Sequence, residues 1–315
     1  MTSSPLSAEV PAPRTTPVRG RRRRRINRLT NRDMVVVGVV LGVAVILDLA
    51  LIWATTSASI GLSFTSFNGV TDPKWIGLRN YNQIFTIYEP FWRAVRNNLL
   101  WLVILGLIAT PLGLFFAFLL DKSIRFSRVY QSIFYMPVVL SLAVVGFIAQ
   151  LVYSRDHGAL NVLLSRTDHP TDWLGDPSIN IWAVLVAAVW RHAGYVMILY
   201  LAGLKAVDPA LKEAALIDGA NERQLFFRVV FPTLRPINII VLVITVIESL
   251  RAFDIVYAIN SGRNGLELLS VLVTQNIVGE ASRIGFGSAI AVILLTTSLG
   301  FVIIYLAQII REEGR

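Results

Sequence analysis

Six long apolar stretches constrain the fold of this chain more than any other feature of its sequence. They occupy residues 34–55, 97–120, 130–153, 180–204, 237–258 and 284–310. A membrane-spanning helix needs roughly 20 mostly apolar residues, whereas these stretches are too long for strands and do not alternate apolar with polar residues. Charged residues make up 16% of the chain, although a soluble domain carries about a quarter. The sequence therefore predicts an all-α, polytopic membrane protein with six transmembrane helices.

The placement of lysine and arginine predicts the orientation of these helices. Nine arginines precede the first apolar stretch, and further basic residues cluster after the second stretch, after the fourth and at the C-terminus. With six spans these segments share one side of the membrane, and an excess of basic residues marks the cytoplasmic side. We therefore expect a multi-pass protein of the cell membrane with both termini in the cytoplasm. An even number of spans agrees with this orientation.

The basic N-terminal segment, residues 1–33, allows more than one interpretation. A run of arginines can indicate nucleic-acid binding, but directly before a membrane span it favours contact with anionic lipid. A signal peptide would have an apolar core of 7–15 residues, which is shorter than the stretch that follows here. We predict a disordered cytoplasmic tail whose partner is membrane lipid and not nucleic acid, followed by a permease domain at residues 34–315.

Several kinds of chemistry lack the residues that they require. The chain has no cysteine, and its three histidines, His157, His169 and His192, are not at metal-ligand spacing. The G-x-x-x-x-G-K-[ST] loop with which many ATPases hold phosphates is also missing. We therefore predict no catalytic residue, no metal site and no cofactor bound by this chain, so that it is not itself an enzyme.

The connection between the fourth and fifth stretches, residues 205–236, carries signals for two short helices. Asp208 is placed to cap the first helix, and Pro209 suits its first position. Gly219 is placed to end that helix, because glycine accepts the left-handed conformation. Asn221 and Gln224 have the spacing of a capping box that starts the second helix. The segment predicts a helix-turn-helix whose apolar side chains need a partner.

The same segment resembles the EAA loop of ABC importer permeases. The family pattern is Glu-Ala-Ala, three residues, Gly, nine residues and Ile-x-Leu-Pro, and here Val229 and Phe231 replace the Ile and Leu. In that family the loop is a coupling helix that docks on the ATPase subunit. The resemblance implies an ATPase-docking surface formed by Glu213, Ala214, Ala215, Asp218, Gly219, Ala220, Phe231 and Pro232. A surface hairpin that lies on lipid is the alternative interpretation.

The resemblance extends over about residues 34–310 and includes segments similar to those of sugar permeases at 76–85, 91–100, 158–163, 173–177 and 249–257. Two departures are Asn98 in place of a usual Thr and the absence of a usual Gly-Gly-Pro near Ser261. The resemblance implies the type I ABC importer permease fold and the import of a sugar, either a disaccharide or an oligosaccharide. A glycerol phosphate or another polar solute is the alternative cargo.

The same resemblance implies a set of partners. A second homologous permease would complete the translocation path, and a dimer of ATP-binding subunits would hold ATP and Mg. An external solute-binding protein would deliver the solute. The envelope type of the cell is not readable from the sequence, so "external" describes the far side of the membrane only.

Polar side chains within the apolar stretches are candidates for the solute path, because such groups face a cavity or a partner helix. Glu248, Arg251 and Asp254 are three residues apart, which would place neighbouring charges on one face of a continuous helix. In the fourth stretch, Trp190 and Tyr195 offer aromatic faces that suit the apolar patches of sugar rings. Arg191 and His192 beside them offer polar side chains that suit the hydroxyls. Each set also has a structural interpretation, as a self-neutralised triplet or as packing and interfacial anchoring.

An ion-coupled secondary transporter is the rival class. Such a protein would use intramembrane carboxylates, for which Asp48, Glu248 and Asp254 are candidates. It would often show internal repeats, and none is clear in this sequence. Ion-driven transport also gives no reason for a hairpin of the coupling type. A non-transporting membrane scaffold is a third class, against which the resemblance of the loops argues.

Overall fold

The computed structural model describes residues 31–122, 125–166, 168–279 and 282–313. In this part of the chain the regular elements are helices, apart from an isolated bridge between Thr65 and Trp75. The prediction of an all-α fold is confirmed. Two compact units cover residues 1–54 and 55–315. Of the predicted tail, residues 1–30 lie outside the described residues, and helix begins at Asn31.

The first unit is helical and has an apolar surface. Helix α1 (Asn31–Asp48) runs into a π-helical segment, Leu49–Trp53. From Met34 onward nearly all of its side chains are exposed, and so large an apolar surface marks contact with lipid or with another protein. The carboxylate of Asp48, one of the candidates for ion coupling, accepts a hydrogen bond from Trp53 Nε1 at 3.1 Å.

The other helices belong to the second unit, apart from Ala54 at its boundary. They are α2 (Ala54–Leu62), α3 (Arg79–Thr86), α4 (Glu89–Ile104), α5 (Thr110–Asp121), α6 (Ser127–Val139), α7 (Leu142–Tyr153), α8 (Ala159–Leu163), α9 (Asn180–Ala206), α10 (Pro209–Ile217), α11 (Glu222–Gln224), α12 (Phe231–Thr233), α13 (Arg235–Leu250), α14 (Asp254–Asn260), α15 (Leu269–Ile277) and α16 (Ile284–Glu313). A π-helical segment, Leu105–Ala109, joins α4 to α5, and another, Leu225–Val230, joins α11 to α12.

The number of continuous spans differs from the prediction of six. Within the described residues, four helical stretches are long and apolar enough to cross a membrane: Met34–Leu62, Glu89–Asp121, Asn180–Ala206 and Ile284–Tyr305. The pair α6 and α7 gives a fifth only if the two bent helices count as one span. The predicted stretch 237–258 is interrupted, since α13 ends at Leu250 and α14 begins at Asp254. Helices lie at all six predicted stretches, but six continuous spans are not confirmed.

The predicted third span, residues 130–153, consists of two helices at 100° to each other. Leu140 and Ser141 have extended backbone between them, and Ser141 caps α7 by accepting a hydrogen bond from the Val144 N–H at 3.3 Å. Pro137 lies in the last turn of α6 and has no N–H to donate. The helix therefore loses a backbone hydrogen bond immediately before the chain turns.

Helix α9 is the central element of the second unit. The most apolar part of α9 is 61% buried, whereas the corresponding parts of the α4–α5 stretch and of α16 are 22% buried. Helix α9 contacts α5, α6, α7 and α13. Two glycines permit close packing: a Cβ at Gly113 of α5 would lie 2.7 Å from the Ala193 carbonyl oxygen, and a Cβ at Gly194 would collide with the Phe134 carbonyl oxygen. Helix α9 thus connects the two regions described next.

Candidate functional site

The connection between α9 and α13 folds as its local sequence signals predict. The Asp208 carboxylate accepts a hydrogen bond from the Ala210 N–H at 2.9 Å, and Pro209 occupies the first helical position of α10. Asn221 and Gln224 form both hydrogen bonds of the capping box, at 2.9 and 3.0 Å. We call residues 205–236 the hairpin. The two predicted helix starts in the hairpin are confirmed.

The turn of the hairpin depends on Gly219. This residue has φ +82°, and a Cβ added to it would meet nothing within 4 Å. Its left-handed backbone allows the Gly219 N–H to donate to Leu216 O at 3.1 Å and the Ala220 N–H to donate to Ala215 O at 3.0 Å. These two bonds satisfy carbonyls that the end of α10 would otherwise leave free.

The predicted docking residues form an accessible surface on the hairpin. Glu213, Ala214, Asp218, Gly219 and Pro232 are exposed, and Ala215, Ala220 and Phe231 are half-buried. Apolar side chains beside them are also exposed: Leu211 by 47%, Leu216 by 53% and Ile217 by 85%. An exposed apolar patch with a polar border is typical of a protein–protein interaction site.

The hairpin is tied to the end of α5 by charges and by an aromatic contact. Lys122 pairs with Glu222 at 2.7 Å, and Lys212 pairs with Asp121 at 3.4 Å. The rings of Phe118 and Phe226 also meet edge to face, with centroids 4.9 Å apart. Below them lies an apolar cluster formed by buried residues of α5, α9, the hairpin and α13, which includes Ala117, Leu120, Met197, Leu204, Val230, Leu234 and Val241. A displacement of the hairpin therefore acts on three long helices.

A cavity of about 210 Å³ lies at the opposite end of α13 from the hairpin. Residues of α4, α9, α13 and α14 line it, together with the chain between α13 and α14. It brings Glu248, Arg251 and Asp254 together with Arg191 and His192 of α9, which are also candidates for the solute path. Trp190 and Tyr195, also predicted for the solute path, do not line it; Trp190 is exposed and Tyr195 is half-buried.

Two polar contacts join α9 to α13 at this cavity. Arg191 Nη1 lies 3.6 Å from Glu248 Oε2, while the Arg191 Nε is buried and has no hydrogen-bond partner among the described residues. His192 Nε2 lies 3.0 Å from Thr245 Oγ1. Because the Thr245 hydroxyl donates to Val241 O at 2.7 Å, it can only accept from histidine. We therefore assign the proton to His192 Nε2.

The interruption of the fifth stretch changes the interpretation of its three charges. The prediction that Glu248, Arg251 and Asp254 share one face of a continuous helix is wrong, because α13 ends between the first and the second of them. Arg251 is the residue that closes α13, and Asp254 is the first residue of α14. A cation at a helix C-terminus and an anion at an N-terminus each oppose the partial charge of that helix end. The three charged residues lie near one another because they line the same cavity, and not because of their spacing along a helix.

Sequence reasoning missed a set of buried asparagines that hold the loops. Asn161, within the segment 158–163, donates from Nδ2 to Arg155 O and Thr171 O, both at 3.0 Å, and its Oδ1 accepts from Trp173 Nε1 at 2.9 Å. Asn97 and Asn98 on α4 make comparable contacts. The available signal was an amide side chain inside or beside an apolar stretch, where an unpartnered polar group is costly. In the described residues, no cluster of three or more His, Cys, Asp or Glu could hold a metal.

Residues 109–312 match the family model of the binding-protein-dependent transport system inner membrane component. The match includes α5 to α15, the hairpin and most of the cavity lining. The chain belongs to this family. The permease is accordingly a transport component of the inner membrane and not an enzyme of metabolism.

Known relatives agree with this assignment over most of their length. The permease is 32% identical to the xylose/arabinose import permease protein of Haloferax volcanii, over 90% of this chain and 91% of the relative. It is 31% identical to the trehalose/maltose transport system permease protein of Thermococcus litoralis, over 75% and 80%.

A solved structure has the same fold. It is the bacterial alginate ABC transporter in complex with an alginate pentasaccharide-bound periplasmic protein, one chain of which matches with a TM-score of 0.74 and 22% identity, over 87% of this chain and 93% of that chain. The predicted fold of an ABC importer permease is confirmed.

Proposed function

We propose that the permease imports a sugar, a disaccharide or oligosaccharide, as one of two homologous membrane subunits driven by separate ATP-binding subunits. The observation that carries the proposal is the exposed hairpin, whose capped helices and Gly219 turn form an accessible surface tied to three long helices. Family membership supplies the transport class. The relatives named for xylose/arabinose and trehalose/maltose support a sugar as the cargo.

In this proposal the hairpin docks on a dimer of ATP-binding subunits, which hold the ATP and Mg. Glu213 and Asp218 offer carboxylates at the docking surface, and Leu216 and Ile217 offer apolar contact. Both termini and the hairpin would then face the cytoplasm, in agreement with the positive-inside rule. An external binding protein would deliver the solute to the opposite face. The alginate transporter, solved with a solute-loaded periplasmic protein, supports such a partner.

The mechanism that we propose is alternating access driven through the hairpin. When the ATP-binding subunits close, they displace α10, and the ion pairs of Lys122 and Lys212 carry this displacement to α5. The apolar cluster beneath the hairpin carries it to α9 and α13. Because α9 and α13 also form walls of the cavity, a movement at the hairpin changes the walls of the proposed path.

The cavity suits a solute rich in hydroxyl groups. It offers carboxylates at Glu248 and Asp254 and guanidinium groups at Arg191 and Arg251, and such mixed donors and acceptors recognise sugar hydroxyls. Its volume of about 210 Å³ is below the roughly 300–1,000 Å³ typical of ligand sites. In our proposal the second permease supplies the remaining wall. Because the guanidinium groups of Arg191 and Arg251 could pair with a phosphate group, a glycerol phosphate is the alternative cargo.

The first experiment is a pull-down of the tagged permease from its own membrane, followed by identification of the co-purified proteins and an ATPase assay. We expect a second permease and an ATP-binding subunit, and we expect Glu213→Arg to lose the ATP-binding subunit while it keeps the second permease. Asp156→Arg is the matched control, since it reverses an exposed carboxylate in the loop after α7. Recovery of the permease alone, even after mild crosslinking, would favour an ion-coupled carrier and direct attention to Asp48, Glu248 and Asp254.

The cargo is tested with the purified complex in vesicles. Uptake of radiolabelled xylose, trehalose, maltose, maltotriose and glycerol 3-phosphate is measured with and without ATP, in the presence of the binding protein that co-purifies or is encoded nearby. ATP-dependent uptake of a disaccharide or of the trisaccharide supports the proposal. Exclusive uptake of glycerol 3-phosphate would contradict a sugar as the cargo and would favour the alternative cargo.

A further inference from the structure

The interruption between α13 and α14 leaves peptide groups that need partners. The last carbonyls of a helix have no N–H donor within that helix, and a carbonyl without a hydrogen bond inside a membrane protein is costly. Here the end of α13 is buried as well, since Ser249 is 0% and Leu250 5% exposed. The interruption therefore persists only if other parts of the chain donate hydrogen bonds to it.

Asn98 of α4 is the side chain that meets this need. It is 2% exposed, and its Nδ2 donates to Ser249 O at 2.9 Å and to Leu250 O at 3.3 Å. Its Oδ1 accepts from the Leu269 N–H, the first amide of α15, at 3.0 Å. One amide thus joins the end of α13 to the start of α15. A second donor, the Ser270 hydroxyl, bonds to Ala252 O within the interruption.

We propose that Asn98 is a positioning residue of the solute path, which fixes the interruption and thereby the cavity lining at Arg251 and Asp254. Trp101, one turn further along α4, lines the same cavity, so the helix that carries Asn98 is itself a wall of it. Asparagine fits this position because one planar group supplies two donors and an acceptor. Aspartate would lack the donors, and leucine would lack both functions. The role in transport rests on the function proposed above.

The neighbouring Asn97 provides a matched comparison. It is 1% exposed, lies on the same helix, and likewise donates to two carbonyls, Gly265 O at 2.8 Å and Glu267 O at 2.9 Å. Those carbonyls belong to the loop before α15 and do not line the cavity at the interruption. Loss of either amide removes hydrogen bonds of the same kind, but only loss of Asn98 releases the end of α13.

The experiment uses the absence of native cysteine from the chain. A single cysteine is introduced at Ala252, which lines the cavity within the interruption. Its rate of modification by a charged methanethiosulfonate reagent is measured in the assembled complex. We expect Asn98→Ala to change this rate by about fivefold or more, as loss of buried hydrogen bonds permits, and Asn97→Ala to leave it unchanged. Equal rates in all three backgrounds, or equal changes for the two asparagines, would overturn the proposal.

A second measurement separates this inference from the proposed function. Uptake of the panel solute that the wild-type complex imports is measured at a saturating concentration of solute-loaded binding protein, so that the affinity of the binding protein does not set the result. We expect Asn98→Ala to lower uptake per ATP hydrolysed by about fivefold or more, because a smaller fraction of the cavity is in the competent arrangement, while Asn97→Ala leaves it unchanged. A changed labelling rate with an unchanged uptake per ATP would refute the assignment of the cavity to the solute path.

If the Asn98→Ala complex does not assemble, Asn98→Thr takes its place. A threonine hydroxyl can donate to one carbonyl and accept from the Leu269 N–H, so it retains part of the function of the amide. We expect Asn98→Thr to change the labelling rate relative to the wild-type background, by less than the roughly fivefold change expected for complete loss of the amide. An unchanged rate in an assembled Asn98→Thr complex, combined with failure of Asn98→Ala to assemble, would mean that Asn98 serves folding alone.

Discussion

Substitutions of Gly219 test whether the shape of the hairpin turn matters for coupling. The residue has φ +82°, and a Cβ there would touch nothing, so the cost of a side chain comes from the backbone alone. A non-glycine residue in the left-handed region costs about 1–2 kcal/mol, a factor of roughly 5–30 in the population of the turn. Asparagine tolerates this region better than valine does. We therefore expect Gly219→Val to lower solute uptake per ATP hydrolysed by at least about fivefold, and Gly219→Asn to stay near the wild-type ratio.

The assay is uptake and ATP hydrolysis measured together in vesicles, at matched amounts of assembled complex. Gly77→Val is the control, because Gly77 also has a positive φ, +60°, and also has open space around its Cβ. It carries the same kind of local strain away from the hairpin, so uptake per ATP should not change. A normal ratio for Gly219→Val, or equal losses for Gly219→Val and Gly77→Val, would refute the reasoning.

Two further predictions concern the link between the hairpin and the spans. Reversal of either charge in the Lys122–Glu222 pair should lower uptake per ATP by up to about fivefold, the factor allowed for a partly exposed ion pair. The double exchange Lys122→Glu with Glu222→Lys should restore uptake per ATP. A double exchange as poor as the single changes would contradict the role of this ion pair in transmitting the movement of the hairpin. Gly113→Ala should lower the thermal stability of the purified protein, because its Cβ would lie 2.7 Å from the Ala193 carbonyl oxygen and overpacking costs about 1–3 kcal/mol. Gly106→Ala, where a Cβ meets nothing within 4 Å, should not lower it, and equal melting temperatures for the two variants would contradict this account of α5 against α9.

The hairpin could be predicted residue by residue because its signals are local. Asp208, Gly219 and the Asn221–Gln224 pair act within one turn of the chain, so the sequence alone contains both partners of each contact. The roles of the docking residues remain a prediction. The helices of the apolar stretches were equally predictable from their length and composition, although not their continuity.

The interruption of the fifth stretch could not be predicted, because its cause is distant in sequence. The end of α13 is stabilised by Asn98, about 150 residues earlier in the chain, and nothing near Leu250 signals it. The break in the third stretch is local instead, since Pro137 and the Ser141 cap lie at it, but neither residue specifies the angle of 100° between the two helices. A pattern of apolar residues reports that a segment avoids water. It does not report whether the backbone within that segment is continuous.

Helix α13 is shorter than the hydrocarbon core of a lipid bilayer is thick. Its 16 residues rise about 24 Å at 1.5 Å per residue, while the hydrocarbon core is about 30 Å thick. If Arg235 lies at one interface of the membrane, α13 ends short of the opposite interface, and Arg251 and Asp254 fall within the depth of the acyl chains. Each additional ångström of hydrocarbon deepens their burial at a cost of a fraction of a kcal/mol. Acyl-chain length would then bear on the charged residues that line the cavity.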